Sequence, residues 1–449
     1  MTKFRLIAPL AVLMLVLAAC SPGSGSSPGA GATDGGADGT AAATGGGGPL
    51  GGSVSILAVY ADAEQDSFMA MIQPWADEND VEIEYTATRD INAQLTTQIA
   101  GGNPPDIAGL PGPGPMAQFA RDGELVPLDD VIDMDTYSSQ YDQGWITAGT
   151  VDDQLVGIFT KVSVKGLIFY NPEQFEAAGY EVPEDYDGLT SLVDEIAGSG
   201  MAPWGIGLES GAASGWPATD WIEDFVLRQS GPDIYDQWVA GELPWSSDEI
   251  RSAFEAFGAW STDEEFVAGG PNAVINTAFG NGGDCLFADP AECYLHHQAS
   301  FITGFFEDNF PDQAVAGETY DFFPMPGIEF DGVTTAGDLF GMFNDTPQAR
   351  SLMQYLTTPE AQQIWVERGG AISPSREVPV DAYPDETSAR FAEIILAAET
   401  TRFDASDLMP TEMNDAFFGA ILDYVQNPDD LDSILENLDT VQESAYGGG

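Results

Sequence analysis

The chain has 449 residues, 73 of them acidic and 13 basic, for a formal charge of −60 at pH 7. That balance excludes a nucleic-acid binder, because phosphate recognition needs Lys and Arg. It suits a chain kept solvated in strong salt, where carboxylate repulsion is screened, and the length is enough to bury the cores of two domains.

Residues 1–19 read as a leader. Lys3 and Arg5 precede a continuous apolar run over residues 6–17, which is short for a bilayer span, and Leu17-Ala18-Ala19 leads into Cys20. Residues 20–52 are Ser, Gly, Ala, Pro and Thr in the main, a composition that packs no element and reads as a flexible tether. Loss of Lys3 and Arg5 with the leader takes the charge to −62, 11 basic residues against 73 acidic. After Cys20 only Cys285 and Cys293 remain, closing a segment that contains Pro290. Outside the cell they read as a disulfide. Metal ligation by Cys293 with His296 and His297 is the weaker alternative, because adjacent histidines point apart and a disulfide consumes both thiolates.

In the body, residues 53–60 (SVSILAVY) form a buried first strand. A helix follows to about residue 78, with Phe68, Met71, Ile72 and Trp75 on one face and Asp62 as its better cap. Residues 81–85 are a second strand, 91–100 a second helix and 106–110 a third strand, which predicts a parallel sheet. The stretch 101–115 (GGNPPDIAGLPGPGP) fences that third strand with glycines and prolines. Ligand sites in open α/β sheets lie beside such loops, although an ordinary αβ crossover has the same pattern. Residues 155–159 and 162–170 read as strands with Thr160-Lys161 between them, crossing from one lobe to another. Helices are expected at 172–178 and 186–197, then a strand at 204–208. Gly215 and Pro217 hold Trp216 off the helix that runs on through Ser230, and Trp238 and Trp245 fall in an irregular surface layer. A helix at 248–260, strands at 320–325 and 333–343, and paired helices at 347–356 and 359–367 follow. Helices at 387–398, 409–426 and 431–442 end the chain.

The chemistry that would mark an enzyme is missing. There is no Gly-x-Ser-x-Gly elbow, no His-Glu-x-x-His, no dinucleotide fingerprint and no phosphate loop. A secreted carbohydrate-active enzyme survives only because paired carboxylates cannot be located by spacing. Aromatic residues stand instead at irregular positions: Tyr60, Trp216, Trp221, Trp245, Phe301, Phe340 and Trp365. Sugar rings have apolar faces and a rim of hydroxyls, so aromatic platforms beside Asp, Asn, Gln or Arg make a sugar site. Packing in a core is the ordinary use of the same residues, above all for Trp365.

The Leu17–Cys20 lipobox, the tether, Glu64, Gly102-Asn103-Pro104-Pro105-Asp106, the 216–224 segment, Cys285 with Cys293, Gly337-Asp338 and residues 358–374 resemble the extracellular solute-binding proteins of carbohydrate ABC importers. GWPATDWIEDFVLRQSGPDIYDQWVAGELPW and NPDDLDSIL resemble the alpha-glucoside-binding group in particular. The resemblance implies an α/β, periplasmic-binding-protein-like fold of type II: two lobes with central sheets, joined by a three-crossing hinge near residues 159–162, 320–326 and 370–374. The lobes would be 53–160 with 321–370, and 161–320 with 371–446. It implies a lipid on Cys20, anchorage to the outer face of the membrane, a monomer, permease subunits as partners and no cofactor, metal or catalytic residue. A sugar would be captured by closure of the cleft, or another neutral solute such as a polyol. The implied contacts are Tyr60, Asp62, Glu64 and Asp106 from one lobe, Trp216, Asp220, Trp221, Gln298 and Phe301 from the other, and Asp338 from the returning strand. Lysine is nearly absent (Lys3, Lys161 and Lys165 only), so the expected site relies on acidic and amide groups or on arginines such as Arg89 and Arg376.

Overall fold

The computed structural model describes residues 49–447. The leader, Cys20 and most of the tether therefore lie outside the described residues. Strands in chain order are β1 Ser53–Ala58, β2 Glu82–Ala87, β3 Ile107–Leu110, β4 Thr150–Val151, β5 Gln154–Leu155, β6 Ile158–Val164, β7 Leu167–Tyr170, β8 His296–Gln298, β9 Asp321–Pro324, β10 Val333–Met342 and β11 Thr401–Phe403.

The first three βα units fold as their alternation predicts. β1 pairs in parallel with β2 and β3, and the helices Asp62–Asn79 and Ile91–Ala100 make the crossovers. β10 then runs antiparallel to β3 through Leu339–Met342 and parallel to β11 through Val333–Thr335. These contacts divide one edge of β10 between two partners, so β6, which pairs over Thr335–Phe340, occupies the other edge. A smaller antiparallel sheet, in the order β8-β7-β9, stands apart. The result is a bilobed, periplasmic-binding-protein-like α/β architecture in which β6 and β10 run side by side between sheets. Residues 370–374 also lie against β6, where Val162 and Ile372 exchange backbone hydrogen bonds of 2.9 and 3.2 Å. Residues 321–324 belong to the smaller sheet as β9, from which the chain passes to β10 of the larger one.

Two large apolar clusters fill the interior. One surrounds Ile56, Phe68, Leu110, Phe340 and Trp365. The other is built by the helices Trp216–Ser230, Asp248–Ser261 and Thr411–Gln426 around Trp221, Phe257 and Phe417. Cys285 and Cys293 are joined as a disulfide across a separation of eight.

Several local expectations are corrected. Thr160-Lys161 is not a linker; it lies inside β6, where the register slips between Asp338 and Leu339. Trp216 is not held off the helix but is its first residue. Gly215 at φ +111° turns the chain into the helix, and Pro217 fits the first turn, where its missing N–H costs no bond. Trp238 and Trp245 are 0% and 1% exposed and pack on Phe417, so that segment is core rather than surface. Residues 204–208 make only isolated bridges in place of a strand. Asp62 does not cap the helix; it is the first helical residue, at φ +52°, and follows the Ala61 cap position.

Candidate functional site

Alternation along β6 sends Lys161 and Ser163 to one face, and with Lys165 directly after the strand they form part of the wall of a cavity of about 640 Å³ between the lobes. Ala336, Gly337 and Asp338 of the neighbouring β10 continue that surface. Glu64, Arg89 and Asn92 close one side, at the entrances to the first two helices. Trp216, Phe279, Phe301 and Phe418 close the other. Trp216 and Phe279 meet edge to face at 5.2 Å between centroids, and Phe301 stands 6.0 Å from Trp216, so the three rings form one aromatic wall.

Two ion-pair groups flank this wall. In the first, Lys161 Nζ donates to Glu64 Oε1 at 2.5 Å and lies 3.7 Å from Asp338 Oδ2. It also stands about 5 Å from the ring centroids of Tyr60, Phe301 and Trp365. Burial alone raises the Glu64 carboxyl, but Lys161 and Arg89 together hold it below the usual range. Asp338, half-buried and close to Glu64, is pushed up to about 6 by desolvation despite Lys161. The register slip beside Asp338 is a bulge of the kind that re-aims side chains next to sites.

In the second group Lys165 Nζ lies 2.8 Å from both Asp220 Oδ1 and Asp404 Oδ2, and 5.0 Å from the Trp216 ring centroid. Glu223 is buried behind them, accepting from Ala405 N and Ser406 N. Burial and mutual repulsion push Asp220 and Glu223 well up, while Lys165 and nearby donors hold Asp404 down against its own burial. Oxygen atoms of Asp220, Glu223 and Asp404 lie within 4.8 Å of one another, a spacing that suits a metal ion. The cation held beside Asp220 and Asp404 here is the Lys165 ammonium.

Of the residues expected to contact a ligand, the cavity brings together Glu64, Trp216, Phe301 and Asp338. The others do not line it. Asp106 precedes β3, at the end opposite the cavity, and accepts from Ser55 N at 2.8 Å and Ser55 Oγ at 2.9 Å. Trp221, 1% exposed, is packed between Trp204 and His297. Tyr60, 1% exposed, meets Phe68 and Trp365 in the core, with only its ring face turned to Lys161. Gln298 is buried, and its Oε1 accepts from Ala299 N. Asp62 is exposed at the helix start. Asp220 reaches the cavity only through Lys165. The two histidines do diverge along β8: His296 Nδ1 pairs with Gly205 O and His297 Nε2 with Asp224 Oδ2, each at 2.8 Å.

The largest omission from the expected site is Lys161 and Lys165. Their scarcity was itself the signal, because a chain this acidic that keeps only two lysines after its leader has placed both where carboxylates are buried. Asp404 and Asp407 were also missed: Asp404 caps and Asp407 belongs to the short helix Ala405–Leu408, which is too short to show a period. That helix packs against the Gly/Pro stretch: a Cβ at Gly112 collides with Asp407, and one at Gly114 collides with Met409 O. The glycines of 101–115 thus let two backbones meet at the cavity, where Pro111 and Pro115 form part of the wall. Two buried polar atoms at the wall, Asn92 Oδ1 and Ser210 Oγ, have no hydrogen-bond partner.

A family profile described as "Bacterial extracellular solute-binding protein" matches residues 61–363. The chain is 38% identical over 389 residues to the "Alpha-glucosides-binding periplasmic protein AglE" of Rhizobium meliloti, covering 84% of each. It is 36% identical over 395 residues to the "Osmoprotective compounds-binding protein GgtB" of Synechocystis sp., covering 87% of this chain and 92% of that one. Among solved structures, a "Chitin oligosaccharide binding protein" superposes with a TM-score of 0.77 at 17% identity, over 88% of this chain and 99% of that one, a likeness of fold.

Proposed function

Because the chain belongs to the bacterial extracellular solute-binding proteins, we propose that it captures an alpha-glucoside or a related neutral oligosaccharide between its lobes and hands it to an ABC permease. The protein binds and releases; no bond is made or broken. The observation that carries the reading is a cavity of about 640 Å³ lined by the aromatic wall of Trp216, Phe279 and Phe301, by carboxylates and amides, and by two lysines that flank the wall. That volume suits a small saccharide. The rings take the apolar faces of the sugar, and Glu64, Asn92, Asp338 and Lys161 take its hydroxyl rim. Closure of the lobes replaces hydration with these partners, and the closed form is what the permease reads.

The lobes proposed are residues 53–160 with 321–370, and 161–320 with 371–446. Attachment to the outer face of the membrane through a lipid on Cys20 completes the reading; Cys20→Ser is expected to release the protein into the medium, and membrane retention of that variant argues against it. A polyol or similar osmolyte is the second reading, supported by the relative named for osmoprotective compounds. Calorimetric titration with maltose, trehalose, sucrose and sorbitol separates the two. Sugar binding that is lost in Trp216→Ala, with the fold intact, supports the first reading; sorbitol binding alone supports the second. Unchanged affinity in Trp216→Ala removes the aromatic wall from the account.

A further inference from the structure

We infer that Lys165 is the hydrogen-bond donor on which ligand selection turns, and that Asp220 and Asp404 act through it as positioning residues. The inference rests on the saccharide reading and deepens it, because it specifies the chemical character of the oxygen that the site accepts. Lys165 is 5% exposed and lines the cavity directly after β6. Of its three N–H bonds, two are committed to Asp220 Oδ1 and Asp404 Oδ2 at 2.8 Å each. Among the described residues no further side-chain acceptor meets the ammonium, which leaves one N–H for a ligand beside the Trp216 ring, over whose face the ammonium stands at 5.0 Å.

The two tethers come from distant parts of the chain, so the ammonium is fixed rather than swinging on its four-carbon stem. Asp220 stands in the first turns of the helix that Trp216 opens. Asp404 is itself held by Ser406 Oγ at 2.7 Å and Asp407 N at 3.0 Å.

Charge decides what this donor accepts. One ammonium faces Asp220, Glu223, Asp404 and Asp407, and Asp220 Oδ2 is buried without any hydrogen-bond partner. The ammonium's charge is already matched by Asp404, which it holds ionised, while burial resists the ionisation of Asp220 and Glu223. A ligand carboxylate would bring a second negative charge to an ammonium already matched by Asp404, whereas a hydroxyl, ring or glycosidic oxygen adds a lone pair without charge. The Lys165 subsite is therefore selective for non-ionic glycosides over their uronic-acid counterparts. If Lys165 only neutralised buried carboxylates, changing it would alter stability and leave ligand choice untouched.

The test is calorimetric titration of the mature chain with maltose, trehalose and sucrose, and then with a glucuronate-containing counterpart of the sugar that binds. The uronate is expected to bind at least about 10-fold more weakly, and Lys165→Met to weaken the neutral sugar by about 10- to 100-fold, as for a lost charge-assisted hydrogen bond. Asp220→Asn is expected to weaken binding in the parent protein but to have no further effect beside Lys165→Met, a dependence that a purely structural role would not produce. Should Lys165→Met fail to fold, the paired Lys165→Met/Asp220→Asn variant removes the unmatched charge along with the lysine and serves in its place. Equal affinity for sugar and uronate, or sugar affinity in either Lys165 variant within twofold of the parent, overturns the inference alone. If none of the three sugars binds the parent protein, the saccharide reading falls first and takes this inference with it.

Discussion

Replacing Asp338 by Asn tests whether the cleft is held together at the expense of a destabilised carboxylate. Asp338 is half-buried beside Glu64, its side chain 18% exposed, and desolvation followed by that neighbour's charge moves its midpoint from the ordinary 3.8 to about 6, with Lys161 opposing the shift. A displacement of this size disfavours the ionised folded state by about 3 kcal/mol, at 1.36 kcal/mol for each pH unit. The sign follows from linkage: the folded state binds the proton more tightly than the unfolded state, so the penalty is full above pH 6 and disappears as the pH falls toward 3.8. Asp338→Asn removes the penalty and leaves Lys161 its closer partner, Glu64 at 2.5 Å rather than Asp338 at 3.7 Å. Urea denaturation at pH 7.5 should therefore show the variant more stable by up to about 3 kcal/mol, with the gain vanishing near pH 4. Sugar affinity should fall in the same variant, since the stabilised protein has lost an acceptor at the site. A variant that is less stable at pH 7.5, or a gain equal at both pH values, refutes the reasoning.

Asp106→Ala should lower stability by about 1–3 kcal/mol, the cost of leaving the Ser55 donors unpaired, and leave ligand affinity unchanged in calorimetry; a large loss of affinity would return Asp106 to the site. The paired Cys285→Ser/Cys293→Ser variant should lose about 2–3 kcal/mol in denaturant melts, as expected for freeing so short a loop. No change in stability would mean that the loop is held by the packing of Leu286 and Phe287 alone.

The parallel βα units and the strand β10 were legible because their patterns are local and long: apolar runs fenced by Gly and Pro, alternating with helices of ten residues or more. The site was legible where a side chain follows directly from a recognisable element, as with Glu64 in the first turn of a helix and Trp216 beside Gly215. It was illegible where burial depends on distant partners. Asp106 precedes β3 at the end away from the cavity, and nothing in its neighbours reveals that Ser55, 51 residues earlier, donates twice to its Oδ2. Trp221 lies five residues after Trp216 in the same helix, yet the helix turns one ring to the cavity and the other to Trp204 and His297. Lys165 and Asp404 are 239 residues apart and meet only through the tertiary fold. Their charges were readable in the composition; the contact between them was not.

The measurement closest to the central claim is a titration of the mature protein with maltose, trehalose and sucrose, followed by calorimetry and by tryptophan emission. The account predicts saturable one-to-one binding of at least one of these sugars, with an emission change that disappears in Trp216→Ala while the melting profile is preserved. Absence of binding by all three, from low salt to molar salt, would contradict it.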